Sequence, residues 1–303
     1  MTEPRAVPPA LDGRHVLAVP AATDLLPLAR AWFPDARWSR APRSGDDASA
    51  ARPASGARFR GIATAPEPEV GALALAGTVE LDGPHPLDAA GARAVGLPAQ
   101  DSALYGLPAA VAPGTTVTPE LVAGWAAAVA RRAGGGVLPA ARDRAVVPDP
   151  GAAVDLTLWS PAPLTVQDAL PVVRPALTGS RVAPPPPATP GAAPAGFTLT
   201  AAYAYDGEVD VRCERAAEVP MVLSTIDPHE HGPWAYRVTW RPPDPYELTR
   251  ETPSQLHVIA RQRVAPGVAG AVAALHAAVG GTVVDVGGFV VTRDELERRA
   301  RAR

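Results

Sequence analysis

A helix followed by two glycines and a strand occurs twice in this chain, and this repeat most constrains the fold. The clearer copy spans residues 266–291, and a weaker copy spans residues 118–147. Sliding one copy onto the other by 146 positions places Gly134 on Gly280, Val137 on Val283 and Val129 on Leu275. The 303 residues also exceed the ~100–200 typical of one domain. The repeat therefore indicates a duplicated domain.

The order of predicted elements suggests what that domain is. Each half follows the order strand, helix, strand, strand, helix, strand, with extra strands inserted. This is the order of the ferredoxin-like fold, an antiparallel sheet with helices packed on one face. We therefore predict an α+β chain of two tandem, duplicated ferredoxin-like domains. A disordered Pro-rich N-terminus would cover residues 1–13, the N-terminal domain residues 14–150 and the C-terminal domain residues 151–303.

Periodicity and capping residues predict the individual elements. In the first half, strands are expected at 15–19 and 58–64, and residues 70–81 are expected to be extended, as either a hairpin or a bent strand. Helices are expected at 23–33, 88–95 and 118–132 and a long loop at 39–57, whereas residues 97–117 have no clear period. In the second half, strands are expected at 154–159, 197–205, 208–214, 221–226, 234–241 and 256–263, and two further strands separated by a glycine turn are expected within 282–291. Helices are expected at 165–177, 266–279 and from 292 onward. Asp206-Gly207 predicts a hairpin turn.

Composition and charge exclude several classes of partner. The chain has no lysine and no asparagine, and its 37 prolines and all-arginine basic set are typical of GC-rich bacterial coding. A formal charge of −3 does not indicate the positively charged surface that binding to nucleic acid requires. No apolar run approaches the ~20 residues that a membrane helix needs, and no signal-peptide pattern is present. With a single cysteine, Cys213, we predict a cytoplasmic protein without nucleic-acid or membrane partners.

One loop contains the side chains best suited to bind a metal ion. Asp227, His229 and His231 alternate along an extended segment, so they would point to the same side and could bind one metal. His257, in a nearby predicted strand, could add a ligand. In this alternative the protein is a metal-dependent, hydrolase-like enzyme with Glu230 as general base. The competing interpretation is a polar loop between two strands, and we do not favour a metal site.

One predicted strand contains the densest group of aromatic and arginine residues. Trp234, Tyr236 and Trp240 would share one face of the strand, and Arg237 and Arg241 the other. This pattern is typical of a core face opposite a solvated face. It also fits a surface that binds a partner, because Trp, Tyr and Arg are enriched at interface hot spots.

No catalytic motif is recognisable. The glycine clusters follow helices, where helix C-caps explain them, and no phosphate-binding loop or nucleophile-elbow pattern is present. Cys213 is expected to be a buried structural residue. We therefore predict a non-catalytic interaction protein that binds an unknown protein or small molecule and needs no cofactor. A further alternative is an assembly subunit that contacts its partners through the Pro-rich segments 182–196 and 242–253.

Overall fold

The computed structural model describes residues 7–43, 69–111, 117–142, 144–184, 196–250 and 252–302. The chain divides into two compact units, Met1–Pro150 (unit 1) and Gly151–Arg303 (unit 2). Each contains one antiparallel sheet and several helices, so the α+β class is confirmed. The predicted strand at 58–64 and most of the loop at 39–57 lie outside the described residues. No helix within the described ranges is long and apolar enough to span a bilayer.

Within the described residues, unit 1 has a six-stranded sheet with the spatial order β2-β3-β4-β5-β1-β6, and neighbouring strands are antiparallel. Its strands are β1 (Val16–Pro20), β2 (Arg37–Arg40), β3 (Ala72–Ala76), β4 (Val79–Leu87), β5 (Ser102–Gly106) and β6 (Gly136–Leu138). The helices in this described part are α1 (Leu25–Arg30), α2 (Ala89–Ala94) and α3 (Pro119–Ala133).

Unit 2 has a seven-stranded antiparallel sheet with the order β8-β9-β10-β11-β7-β12-β13. Its strands are β7 (Leu156–Ser160), β8 (Arg181–Val182), β9 (Phe197–Tyr203), β10 (Gly207–Arg215), β11 (Trp234–Arg241), β12 (Thr282–Asp285) and β13 (Val290–Val291). Its helices are α4 (Val166–Val173), α5 (Gln255–Val279) and α6 (Arg293–Arg301), and two 3-10 turns cover Met221–Thr225 and Pro245–Thr249.

The two sheets share one strand order. When strands are ranked by their position along the chain within each unit, both sheets have the order 2-3-4-5-1-6, and unit 2 adds β13 at the edge. A helix connects ranks 1 and 2 in each unit, namely α1 and α4, and another precedes rank 6, namely α3 and α5. The units therefore agree in strand order and in the placement of these two helices.

Helix α3 illustrates how local sequence determines an element. The Thr118 hydroxyl accepts a hydrogen bond from the Leu121 amide, and Pro119 occupies the first turn, where its missing N–H costs nothing. Gly134 ends the helix in the left-handed conformation at φ 73°. Trp125 is fully buried, and its indole N–H donates to the carbonyl of Leu28 at 2.9 Å. The predicted helix is confirmed, and its inward face anchors α1.

The core of unit 2 lies between one face of its sheet and its three helices. Alternate residues of β10 and β11 point into this core, as the period of two along a strand requires. The opposite face of these strands is polar and carries paired arginines and carboxylates. The side chains that fill the core include Leu158, Leu199, Val209, Val211, Tyr236, Val238, Val173, Val268, Val272, Leu275, Val283 and Leu296.

Two strand predictions in unit 2 are wrong. Residues 256–263 form the beginning of α5, because Ser254 caps the helix through the His257 amide and the helix continues through Pro266. The alternation of Leu256 and Val258 resembled a strand, and Pro266 resembled a helix start. Residues 221–226 contain a 3-10 turn, in which the Ser224 hydroxyl donates to the Met221 carbonyl at 2.7 Å.

Unit 1 differs from the sequence predictions in several places. Residues 39 and 40, predicted as loop, belong to β2, and the predicted stretch 70–81 forms β3 and the beginning of β4, which pair as a hairpin. Residues 7–13, predicted to be disordered, contain a 3-10 turn at Pro9–Leu11 and the fully buried Leu11, while residues 1–6 lie outside the described residues. The unassigned stretch 97–117 contains β5, which pairs with both β1 and β4 and is buried along its whole length. A strand buried on both faces shows no alternation of apolar and polar residues, so no period was visible.

Candidate functional site

The aromatic residues of β11 point into the core of unit 2. Tyr236 is fully buried; its hydroxyl accepts a hydrogen bond from the Leu164 amide at 2.6 Å and donates to the Ala162 carbonyl at 3.0 Å. Trp240 is also buried, and Trp234 is half-buried. These three residues therefore act mainly as core and anchoring residues along the strand.

The arginines of β11 lie on the opposite, exposed face of the sheet. Arg237 pairs with Glu214 at 3.0 Å. Arg241 pairs with Glu208 at 2.6 Å and with Asp210 at 2.9 Å. Each guanidinium is thus matched by carboxylates of the neighbouring strand β10, so this face is internally neutralised rather than presenting unpaired positive charge.

The loop with the metal-ligand pattern does not gather its side chains. The Asp227 carboxylate accepts a hydrogen bond from the His229 backbone amide at 2.9 Å. The Glu230 carbonyl accepts from the Thr282 hydroxyl at 2.9 Å, which fixes the loop to β12. His231 is buried, whereas Asp227, His229 and Glu230 are exposed. Across the described ranges, no three His, Cys, Asp or Glu side chains are placed to share a metal ion.

The prediction that His257 lies on a strand beside that loop is wrong. His257 occupies the first turn of α5, and its imidazole packs against the Trp240 indole with ring centroids 5.0 Å apart. Its exposure is 7%, and its buried Nδ1 has no hydrogen-bond partner within the described part of the chain. Burial lowers the pKa of the imidazole and the Arg261 guanidinium lowers it further, while Glu247 and Asp244 oppose the shift.

Cys213 is a core residue of β10. Burial raises the pKa of its thiol to about 11, and the negative charge of Glu214 adds to this effect, although the nearby polar Tyr236 hydroxyl works against it. A nucleophilic cysteine needs a lowered thiol pKa, because the thiolate is the reactive form. The surroundings of Cys213 favour the neutral thiol and therefore a structural role.

Two chain segments contact Trp240 at one end of the sheet of unit 2, and a third segment is hydrogen-bonded to one of them. The Trp240 indole N–H donates to the carbonyl of Asp206 at 2.7 Å, which holds the β9–β10 hairpin turn, residues 204–206, beside it. The packed His257 ring brings in the first turn of α5. The Glu247 carboxylate accepts from the Ser254 amide at 2.7 Å and so ties the 3-10 turn Pro245–Thr249 to the same helix end.

Large apolar side chains project into solvent from these three segments. Tyr205 on the hairpin turn is 85% exposed, Tyr246 and Leu248 on the 3-10 turn are 79% and 64% exposed, and Leu256 on α5 is 78% exposed. Scattered apolar residues on a surface are ordinary, but four on segments joined by direct contacts form a candidate interaction site. We call the surface formed by Tyr205, Tyr246, Leu248 and Leu256 the turn surface.

Buried polar groups fix the turn surface from below. Glu247 is buried and also accepts from the Arg250 guanidinium at 2.7 Å. The backbone amide of Trp240 donates to the Asp155 carboxylate at 2.9 Å. Burial raises the pKa of Asp155, whereas the hydrogen bond from Trp240 lowers it. These bonds hold the ends of β7 and β11 and the 3-10 turn in one arrangement.

The turn surface uses a part of α5 that α3 lacks. Helix α5 has 25 residues and α3 has 15. Because the repeat places Thr118 on Val264, the residues of α5 before position 264 have no counterpart within α3. Leu256, His257 and Arg261 all belong to this additional part. Unit 2 therefore differs from unit 1 at the end that carries the turn surface.

Sequence reasoning found parts of this surface but did not assemble them. Trp240 and Arg241 are close to the turn surface, and Tyr246 and Leu248 lie in the segment 242–253, which the assembly-subunit alternative proposed as a partner contact. None of the four exposed residues was singled out individually. A signal was present, because Tyr246 and Leu248 are large apolar residues in a Pro- and Asp-rich loop, and Tyr205 adjoins a predicted turn. Only the fold shows that these segments meet.

Unit 1 contains an open cleft of about 620 Å³ between the end of α2 and the segment after β6. Arg142 and Arg144 line it together with Val95 and other small apolar residues. The Arg142 guanidinium donates to the carbonyl oxygens of Pro139 and Leu11. Arg142 therefore fastens the N-terminal 3-10 turn to the loop after β6.

In comparisons with known proteins, no family model, curated protein or solved structure matches this chain.

Proposed function

We propose that this chain is a non-catalytic interaction protein that docks a partner protein on the turn surface of unit 2. The observation that carries this proposal is the exposure of Tyr205, Tyr246, Leu248 and Leu256, at 64–85%, on segments joined around one buried tryptophan. Holding such side chains in water is unfavourable, and burying them against a partner releases about 25 cal/mol per Å² of apolar area. Tyrosine is also enriched among interface hot spots.

The support beneath the surface favours binding by a preformed site. The hairpin turn, the 3-10 turn and the first turn of α5 are each fixed by a hydrogen bond or ring contact to a buried residue, Trp240 or Glu247. A surface that is already ordered loses little conformational entropy when a partner docks. We therefore expect that a partner can bind these segments without any folding step on binding.

The charges around the surface indicate the chemistry of the partner. Arg263 pairs with Asp206 at 3.5 Å, and Arg250 pairs with the buried Glu247. Since these charges are matched within the unit, the contact area offered to a partner is apolar and aromatic. A complementary partner presents an uncharged apolar patch, with its own polar groups at the rim.

We also propose that the two units are duplicated ferredoxin-like domains. The shared strand order, the matching helices before ranks 2 and 6, and the repeated helix, glycine and strand support this. In this proposal the extended α5 and the 3-10 turn Pro245–Thr249 are additions to unit 2, and they carry most of its turn surface. A cytoplasmic location remains part of the proposal, supported by the single buried Cys213.

A capture experiment with matched variants tests the docking proposal. The site variant carries Tyr246→Ser, Leu248→Ser and Leu256→Ser, and the control variant carries Val219→Ser, Met221→Ser and Val286→Ser, which are exposed apolar residues elsewhere in unit 2. Each protein is cross-linked in an extract of the cells that express the chain, and bound proteins are quantified. We expect one partner to be retained by the wild type and the control variant and lost from the site variant. Equal capture by both variants contradicts the proposal.

The metal-dependent enzyme gains no comparable support from the geometry of Asp227, Glu230 and the histidines. Elemental analysis of protein purified without a histidine tag addresses it directly, with the His229→Ala/His231→Ala variant measured beside the wild type. Near-stoichiometric zinc or iron that disappears in the variant would replace the docking proposal with the enzyme. We expect no such difference in metal content between the two proteins.

A further inference from the structure

The turn surface depends on a histidine whose surroundings are unsuited to a second proton. The His257 ring lies on Trp240, and its buried Nδ1 has no hydrogen-bond partner among the residues that the structure describes. A neutral imidazole has one N–H, but the protonated ring has two, and both are donors. An additional N–H at Nδ1 would find no acceptor among these described residues where it lies, and burying an unsatisfied charged group is costly.

The charges around His257 come from three directions. Arg261 lies one turn further along α5, and the N-terminal end of the helix carries partial positive charge. Glu247 and Asp244 on the segment before α5 are negative and favour protonation. Beside Trp240, the Asp155 carboxylate accepts a hydrogen bond from the Trp240 backbone amide, and the Asp206 carboxylate pairs with Arg263. The net result is a lowered pKa for the imidazole.

Movement of His257 would not stay local to one side chain. The first turn of α5 is capped by Ser254, whose backbone amide donates to Glu247 on the 3-10 turn. Leu256 is the immediate neighbour of His257, and Tyr246 and Leu248 flank Glu247 in the chain. Displacing the ring from Trp240 therefore loosens three of the four residues of the turn surface.

We infer that proton uptake by His257 releases the first turn of α5 from Trp240 and disassembles the turn surface, so that docking is weakened in mildly acidic solution. The inference rests on the proposed function for its consequence, but the release itself is a property of the chain alone. The direction of the pH effect follows from the difference between the imidazole pKa values of the folded and unfolded states. An unfolded histidine has a pKa of about 6.5, and the packed ring has a lower one, so the unfolded segment binds more protons as the pH falls.

Two other groups near the ring define the controls. The pKa of Glu247 is lowered, chiefly by the hydrogen bond from the Ser254 amide, so this carboxylate stays ionised throughout mildly acidic solution. The pKa of Asp155 is raised by burial, and its carboxylate accepts from Trp240. In an Asp155→Asn variant this carboxyl group is absent, so any pH response that remains does not come from the titration of Asp155.

Hydrogen exchange tests the inference without a partner. Exchange of the backbone amides in residues 242–250 and 252–262 is measured at pH values about one unit above and below 6.5 and corrected for intrinsic rates. The wild type, His257→Phe, His257→Gln, Asp155→Asn and His231→Phe are compared. His231 provides a matched control, because it is also buried and its Nδ1 has no partner in the described ranges.

We expect protection of these two segments to fall several-fold at the lower pH in the wild type, in Asp155→Asn and in His231→Phe. Protection should not change with pH in either His257 variant. Three results overturn the inference: no pH response in the wild type, the same response in both His257 variants, or a response that also covers the strands of unit 1. Such a failure leaves the docking proposal intact, because that proposal is tested at neutral pH through exposed side chains.

Discussion

The imidazole of His257 lies against the indole of Trp240, with ring centroids 5.0 Å apart and ring planes inclined by 49°. This contact joins the end of β11 to the first turn of α5. The Trp240 indole N–H also holds the hairpin turn through the Asp206 carbonyl. One buried tryptophan thus connects the segments that carry Tyr205 and Leu256, which gives Trp240 a supporting role in the proposed interaction surface.

Truncation of Trp240 should strongly destabilise unit 2. Trp240→Ala leaves a cavity beneath His257, and large-to-small changes of this kind cost about 3–5 kcal/mol. Trp240→Phe retains an aromatic ring but loses the hydrogen bond to Asp206, so we expect a clearly smaller loss. Urea unfolding of both variants measures the free energies. Equal stability of Trp240→Ala and the wild type would contradict the central packing role of this residue.

The hairpin turn should depend on Gly207 for two separable reasons. Gly207 has φ +85°, and a Cβ built there would lie 2.1 Å from the carbonyl oxygen of Arg241. Gly179 has a similar φ of +79° but open space around its Cβ position. Gly179→Ala should therefore cost only the left-handed backbone strain of about 1–2 kcal/mol. Gly207→Ala should cost several kcal/mol, and thermal unfolding of the two variants gives the comparison.

Cys213 should resist alkylation in the folded protein. Its thiol pKa is raised to about 11 by burial, so the thiolate is a small minority near pH 8. Mass spectrometry after treatment with iodoacetamide should show slow modification in buffer and rapid modification in denaturant. Rapid modification of the native protein would mean that the thiol is accessible and activated, which would reopen a catalytic role for it.

The Glu247 contact should stabilise the protein at neutral pH and lose its effect in acid. The folded-state pKa of this carboxylate is lowered from 4.5, chiefly by the Ser254 amide. A lowered carboxylate pKa contributes stability above the unfolded value and loses it as the pH falls through the folded value. Glu247→Gln should thus be less stable than the wild type at pH 7, and the difference should shrink below about pH 4.5. The exposed carboxylate Glu218, replaced in Glu218→Gln, is the control for the loss of one negative charge in the same urea titrations. The same dependence on pH for both variants would contradict a specific contribution of the Glu247 contact.

Local signals in the sequence were sufficient for elements whose ends are determined by their own residues. Thr118, Pro119 and Gly134 define α3, Thr292 caps α6, and the Asp206-Gly207 pair marks the β9–β10 hairpin. In each case a side chain or a glycine satisfies the backbone within a few residues, so no distant contact is needed to predict the element.

Tertiary contacts decided the features that the sequence did not reveal. The start of α5 depends on Ser254, whose amide is held by Glu247, while Pro266 inside the helix suggested a later start. Strand β5 is recognisable only by its pairing with β1 and β4. The turn surface combines Tyr205 with residues more than 40 positions away. The three segments meet through contacts made by Trp240 and Glu247. Such contacts between distant residues leave no periodic pattern in the sequence.

Site-specific photo-crosslinking tests the central claim of docking on the turn surface most directly. A photoreactive phenylalanine analogue is placed at position 246 or 256 and, as a control, at position 286, where Val286 is also exposed. After irradiation in the cells that express the chain, we predict one discrete protein adduct from positions 246 and 256 and none from position 286. The absence of adducts at positions 246 and 256, or the same adducts from all three positions, would contradict a docking site on the turn surface.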